Sequence, residues 1–341
     1  MALQNVRLLV VTAILGVAVA WLSSATPAAA AERYIDEVFP SVTVTSNIMY
    51  GQAIDEFGQL ETLRLDVYQP SGDTLSERPA VIFVHGGGFT GGSKTTPSAV
   101  DYATRMAKRG FVTASINYRL REAGYSPAEQ AQVVLDAQHD AQAAVRWFRA
   151  NAAAYDIDAD RISIAGYSAG AVTALFVAYN SGDPGDSGNP GYPSTVSAVI
   201  SVAGNVFDPL IDAGEPPAML VHGTADSTVP YSGSTEVVAR AAEVGITTEL
   251  HPFPGEGHSI FGEHMTEITQ WSGEFLLNYV IGGSAVGGFT SLATANPPPN
   301  EGSPEWVWWL IPAALLIGPA ARWLERSVRR RSNAQRLSEI E

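Results

Sequence analysis

Residues 162–170 read Ile-Ser-Ile-Ala-Gly-Tyr-Ser-Ala-Gly, and no other part of the chain constrains the architecture as strongly. A β-branched run ends at Gly166, Ser168 follows, then Gly170, and an Ala/Leu/Val-rich helical pattern continues to Val177. G-x-S-x-G between a strand and a helix is the setting of a nucleophile elbow. So tight a turn requires small residues around the serine: Gly166 and Gly170 let the helix close on the strand while Ser168 is held outward. Without flanking strand and helix the same five residues arise often by chance.

The surrounding sequence fits a doubly covered sheet. Residues 42–50 and 61–68 alternate partly between apolar and polar on either side of a turn at Gly58, which predicts antiparallel edge strands. Residues 80–84 are continuously apolar, as in a strand buried on both faces. Helical patterns at 99–109, 127–150, 171–179, 235–244 and 266–280 alternate with strand patterns at 111–118, 162–165, 196–202, 218–222 and 247–253. The fold class is therefore α/β, a mostly parallel twisted sheet with helices on both faces. Active residues in such sheets gather at the carboxyl ends of strands. Residues 180–194 form a polar Gly/Pro stretch. Asp183 and Asp186 there lack the oxygen-rich pattern of a calcium site, so a solvated loop is expected.

A serine hydroxyl at neutral pH needs an imidazole base, itself oriented by a carboxylate. Six histidines are available. His139 falls mid-helix on an expected surface, and His85 and His222 end strands. His251 lies within the last strand, where core or pairing roles prevail. His258, in Gly-Glu-Gly-His-Ser (255–259), sits on a loop just past that strand, whereas His264 begins the final helix; His258 is the better base. For the acid, Asp226 follows strand 218–222, with Asp208 as runner-up; the competing role for Asp226 is a turn or helix cap. Directly after strand 80–84, His85-Gly-Gly-Gly-Phe89 exposes backbone N–H groups. One from Gly87 or Gly88 and another from Ala169 would hold an oxyanion. A phosphate cradle is the rival, but Gly91-Gly92-Ser93-Lys94 has the wrong order for a Walker loop.

These segments, with His222-Gly-Thr-Ala-Asp-Ser-Thr-Val-Pro and Gly257-His258-Ser259, resemble the α/β-hydrolase fold. Within it they resemble the bacterial carboxylesterases grouped with hormone-sensitive-lipase-like and feruloyl-esterase-like enzymes. The resemblance covers about residues 63–280, including Leu65-Asp66-Val67-Tyr68 and Asn117-Tyr118-Arg119-Leu120. It implies Ser168 as nucleophile, Asp226 as acid, His258 as base, and the Gly87, Gly88 and Ala169 amides as oxyanion hole. The interval 202–218 is short for a lid and 32–59 lacks the amphipathic helices of a cap, so an open cleft with little or no lid is expected. No metal or organic cofactor is implied.

The ends of the chain suggest export. Arg7, an apolar run at 8–22 and an alanine-rich stretch to Ala31 read as a signal peptide over residues 1–31; an uncleaved anchor is the competing reading. Residues 32–282 would form the catalytic domain and 283–305 a flexible stalk. Residues 306–324 would be a transmembrane helix, Trp-rich at one end, and 325–341 a basic cytoplasmic tail that leaves the catalytic part outside the cytoplasm. The competing reading of 306–321 is a surface helix.

The whole chain carries net charge −15. The part between the signal and the anchor has 13 basic and 32 acidic groups, net −19. That excludes nucleic acid as a natural partner. There is no cysteine, hence no disulfide, thiolate metal site or cysteine nucleophile. The expected activity is cleavage of carboxylic esters through an acyl-enzyme. The alternatives are a serine peptidase of the same fold, for which no propeller or gating domain is evident, and an inactive binding module on this scaffold.

Overall fold

The structure, a computed structural model, describes residues 32–122, 127–206 and 210–282. Its strands are β1 (Val42–Ile54), β2 (Leu60–Pro70), β3 (Arg78–Val84), β4 (Val112–Ile116), β5 (Ile157–Tyr167), β6 (Val199–Val202), β7 (Ala218–Gly223) and β8 (Thr248–Phe253). They form one sheet in the order β1-β2-β4-β3-β5-β6-β7-β8. β1 and β2 pair antiparallel, β2 pairs antiparallel with β4, and every pairing from β4 to β8 is parallel. The helices are α1 (Pro97–Lys108), α2 (Pro127–Ala150), α3 (Ala169–Tyr179), α4 (Ser232–Val244), α5 (Ile260–Glu263) and α6 (Met265–Leu276).

The two-residue period of β3 divides the interior. Ala80, Ile82 and Val84 belong to the core shared with α2, α3 and α4, while Val81 and Phe83 belong to that shared with α1, α5 and α6. On the second face Phe83 stacks on Phe261 at 5.3 Å. Both sides of β3 are thus apolar, which is why its sequence shows no alternation.

One strand expectation and one loop expectation need adjustment. β1 is an edge strand as expected, but β2 lies inside the sheet, between β1 and β4. Its polar positions mimic an exposed face because Asp66, buried, pairs with buried Lys94 (2.7 Å) rather than with water. The 180–194 stretch is tied down rather than merely solvated. Arg146 donates to the Gly188 and Pro184 carbonyls, and Ser187 donates to the buried Asp140 carboxylate (2.6 Å), which also receives Arg119.

The expected membrane localisation is corrected. Among the described residues no helix is long and apolar enough to cross a membrane. α2 has the length, 24 residues, but carries Glu129, Asp136, Asp140, Arg146 and Arg149. α3 is apolar yet only 11 residues long, about half what a bilayer demands. The segments expected to be signal peptide (1–31), stalk (283–305), transmembrane helix (306–324) and tail (325–341) lie outside the described residues.

Candidate active site

β5 ends at Tyr167 and α3 begins at Ala169, leaving Ser168 alone to make the turn. It does so with φ 54° and ψ −122°, a conformation that costs a non-glycine residue about 1–3 kcal/mol and is retained only where packing enforces it. The enforcing contacts are backbone on backbone. A Cβ on Gly170 would collide with the carbonyl oxygen of Val84 in β3, and one on Gly166 with the carbonyl of Gly170. The absence of side chains at these two glycines thus brings α3 against the sheet.

Ser168 Oγ donates to His258 Nε2 (2.8 Å), and His258 Nδ1 donates to Asp226 Oδ2 (2.7 Å). Ser168 is 9% exposed, the His258 side chain 18%, and the Asp226 side chain 0%. His258 follows β8 and Asp226 follows β7, so three parallel strands deliver the three groups to one rim. The Asp226 turn is held by the Thr228 and Val229 amides, which donate to Oδ1 (2.8 and 2.9 Å). Burial pushes the Asp226 carboxyl up, but the bonds from His258, Val229 and Thr228 outweigh it and hold the group below the usual carboxylate range. One carboxylate oxygen thus holds the turn while the other meets His258.

Gly87 and Gly88 follow β3 in exposed backbone at φ 127° and 62°. The N–H groups of Gly87 and Ala169 make no hydrogen bond among the described residues. The loop is fixed at its far end, where the Lys94 amide donates to Asn117 Oδ1 (2.7 Å) and Lys94 Nζ to Asp66.

The other candidates lie elsewhere. His264 Nε2 pairs with Glu256 (2.8 Å), and the ring stacks on Phe253. His251 stacks on Trp271, and His139 is half-buried against Gly185 rather than on the surface. Asp208 lies outside the described residues. Among the described residues one grouping, Glu256, Glu263 and His264, has the atom types of a metal site, but His264 already bonds Glu256.

Two neighbours escape a reading of the sequence. The Tyr167 hydroxyl donates to the His258 carbonyl (3.0 Å), with its ring stacked between His258 and Phe261. His222, with a wholly buried side chain, lies 3.2 Å from Asp226 Oδ2. Its position four residues before Asp226 was the available signal.

Burial lowers the proton affinity of both His85 and His222. An unfolded histidine takes up its proton near pH 6.5, so in acid the unfolded state binds more protons and stability falls as pH drops below that value. The thermal midpoint is therefore expected to fall between pH 7.5 and 5.5. Calorimetric scans at pH 7.5 and 5.5 check this; an unchanged or higher midpoint in acid contradicts it.

Comparison with known proteins gives consistent results. The BD-FAE family matches residues 65–208, and the prolyl oligopeptidase family matches 198–283. Esterase LipQ of Mycobacterium tuberculosis is 28% identical over 295 residues, 74% of this chain and 66% of that protein. Esterase B1 of Culex pipiens is 30% identical over 120 residues, 34% of this chain and 22% of that protein. The chain thus spans two thirds or less of these relatives. A thermophilic esterase of Thermogutta terrifontis, Est2, solved with propionate bound, superposes with TM-score 0.58 at 25% identity, covering 73% of this chain and 97% of Est2. Sheet order, elbow, family matches and relatives agree on the α/β-hydrolase fold, and within it the chain is similar to bacterial carboxylesterases.

Proposed function

We propose that the protein hydrolyses carboxylic esters, with Ser168 as nucleophile, His258 as base and Asp226 as the carboxylate that orients the imidazole. The Gly87, Gly88 and Ala169 amides form the oxyanion hole. The observation that carries this reading is the unbroken line of hydrogen bonds from Ser168 through both nitrogens of His258 to a buried Asp226. Ser168 Oγ attacks the ester carbonyl as its proton passes to His258 Nε2, and Asp226 steadies the imidazolium. The oxyanion is met by fixed backbone N–H groups, which need no reorganisation as charge develops. His258 then returns the proton to the departing alcohol. Water, deprotonated by the same nitrogen, releases the acid from the acyl-enzyme.

Short acyl groups are the favoured substrates. The relative from Thermogutta terrifontis has been solved with propionate and with butyrate bound, and the Gly87–Gly88 rim here is exposed. Among p-nitrophenyl esters from acetate to laurate, rates are expected to peak at four carbons or fewer. A fluorophosphonate is expected to add once per chain, on the peptide bearing Ser168; that relative has been solved phosphonylated by cyclosarin. No hydrolysis across the series together with no adduct overturns the proposal. The prolyl oligopeptidase match over 198–283 favours a second reading, amide cleavage. Peptidyl p-nitroanilides turned over faster than the esters would establish it instead.

A further inference from the structure

Every polar atom of the His222 side chain is committed, and the commitments fix its tautomer. Nε2 lies 2.8 Å from the Val229 carbonyl oxygen, which only accepts, so Nε2 carries the proton. Nδ1 lies 2.7 Å from Ser234 Oγ. In a neutral ring with its proton on Nε2, Nδ1 accepts, so the serine hydroxyl donates. The same Nε2 is 3.2 Å from Asp226 Oδ2, the oxygen that receives His258 Nδ1. Ser234 sits in the first turn of α4 and is itself fully buried. Tyr231 lies edge-on to the imidazole at 5.8 Å.

Asp226 therefore has donors on both oxygens. Thr228 and Val229 amides hold Oδ1, while Oδ2 takes the His258 N–H and has His222 Nε2, whose own hydrogen goes to the Val229 carbonyl, 3.2 Å away. His222 also holds the Val229 carbonyl, whose own amide is one of the Oδ1 donors, so a single ring grips both ends of the carboxylate's turn.

We infer that His222, set by Ser234, is a positioning residue that fixes the Asp226 carboxylate for His258, a second imidazole serving the acid rather than the nucleophile. The inference rests on the proposed roles of Ser168, His258 and Asp226. Its physical basis is that a carboxylate free to rotate by a few tens of degrees holds the His258 ring less well. The loss then falls on the chemical step rather than on substrate binding.

His222→Leu removes the donor at similar bulk, and His222→Gln restores an N–H at about the reach of Nε2. Ser234→Ala is a milder change, removing the hydroxyl that anchors Nδ1 while leaving the Val229 carbonyl that sets the tautomer. For His222→Leu kcat is expected to fall about 10- to 100-fold with KM within twofold, the pattern of a loss that falls on the transition state alone. His222→Gln is expected to recover most of this, and Ser234→Ala to lie between. The rate of fluorophosphonate labelling at Ser168 follows the same order. Proton NMR supplies a readout independent of turnover: the downfield His258 Nδ1–H signal persists in wild type and His222→Gln and is lost by exchange in His222→Leu.

Wild-type labelling rate and kcat in His222→Leu, with the downfield proton retained, overturn the inference. If His222→Leu does not fold, Ser234→Ala decides: unaltered kcat and an unaltered downfield proton there also overturn it. A wild-type protein inert to esters and fluorophosphonate defeats the functional reading instead, and the NMR comparison still judges the positioning role.

Discussion

Replacing Ser168 with alanine will reduce ester turnover by about 10⁴- to 10⁶-fold while leaving the fold intact. The hydroxyl is the only group at the elbow able to take an acyl chain, and His258 without it can at best activate water at a poorly placed position. The residual rate comes from the oxyanion donors and from binding, both of which the substitution spares. Stability will hold or improve, because alanine removes one hydrogen bond from a partly solvated rim and adds no clash. The measurement is single-turnover and steady-state hydrolysis of p-nitrophenyl butyrate beside a thermal melt. Turnover within tenfold of wild type in a folded Ser168→Ala protein removes Ser168 from the mechanism.

Gly170→Ala will be strongly destabilising. Its Cβ would be driven into the Val84 carbonyl oxygen, with the His85 carbonyl next in line, and neither can retreat. Val84 lies in β3, hydrogen-bonded to β4 on one side and to β5 on the other. Overpacking where side chains can give way costs about 1–3 kcal/mol; here main chain meets main chain in the centre of the sheet, so the cost lies at or above the top of that range. Gly182, with open space around its Cβ position, is the control: Gly182→Ala will change stability by about 0.5 kcal/mol or less. Urea titration followed by circular dichroism separates them. A Gly170→Ala protein as stable as Gly182→Ala would show that α3 is not seated against β3 by this contact.

Much of this arrangement is legible from local chemistry. Gly166, Ser168 and Gly170 announce the elbow because its sterics are local: each glycine answers a contact made within a few residues or by the adjoining strand. The start of α2 follows likewise from Pro127. Less legible are features decided by partners distant along the chain. Asp66 looks like a solvent-facing position until Lys94, 28 residues on, is found beside it. The 180–194 stretch looks like a free loop until Arg146 and Asp140 of α2 are seen to bind it. His222 reads as the end of a strand, and only the folded chain brings Ser234 and the Val229 carbonyl to its two nitrogens. Polar residues buried in pairs carry the same letters as polar residues in water, and composition alone does not separate them.

Ser168, Asp226 and His258 lie just past the ends of β5, β7 and β8; β6 stands between β5 and β7, and β8 pairs with β7 directly. Ser168 and His258 are 90 residues apart, and no local segment brings any two of the three groups together. A refolding chain that has regained its helices, or even the β3–β5 centre, is therefore still silent as a catalyst. On the proposed roles, recovery of turnover reports that all three strand ends have come together, which makes the enzyme its own gauge of completed assembly.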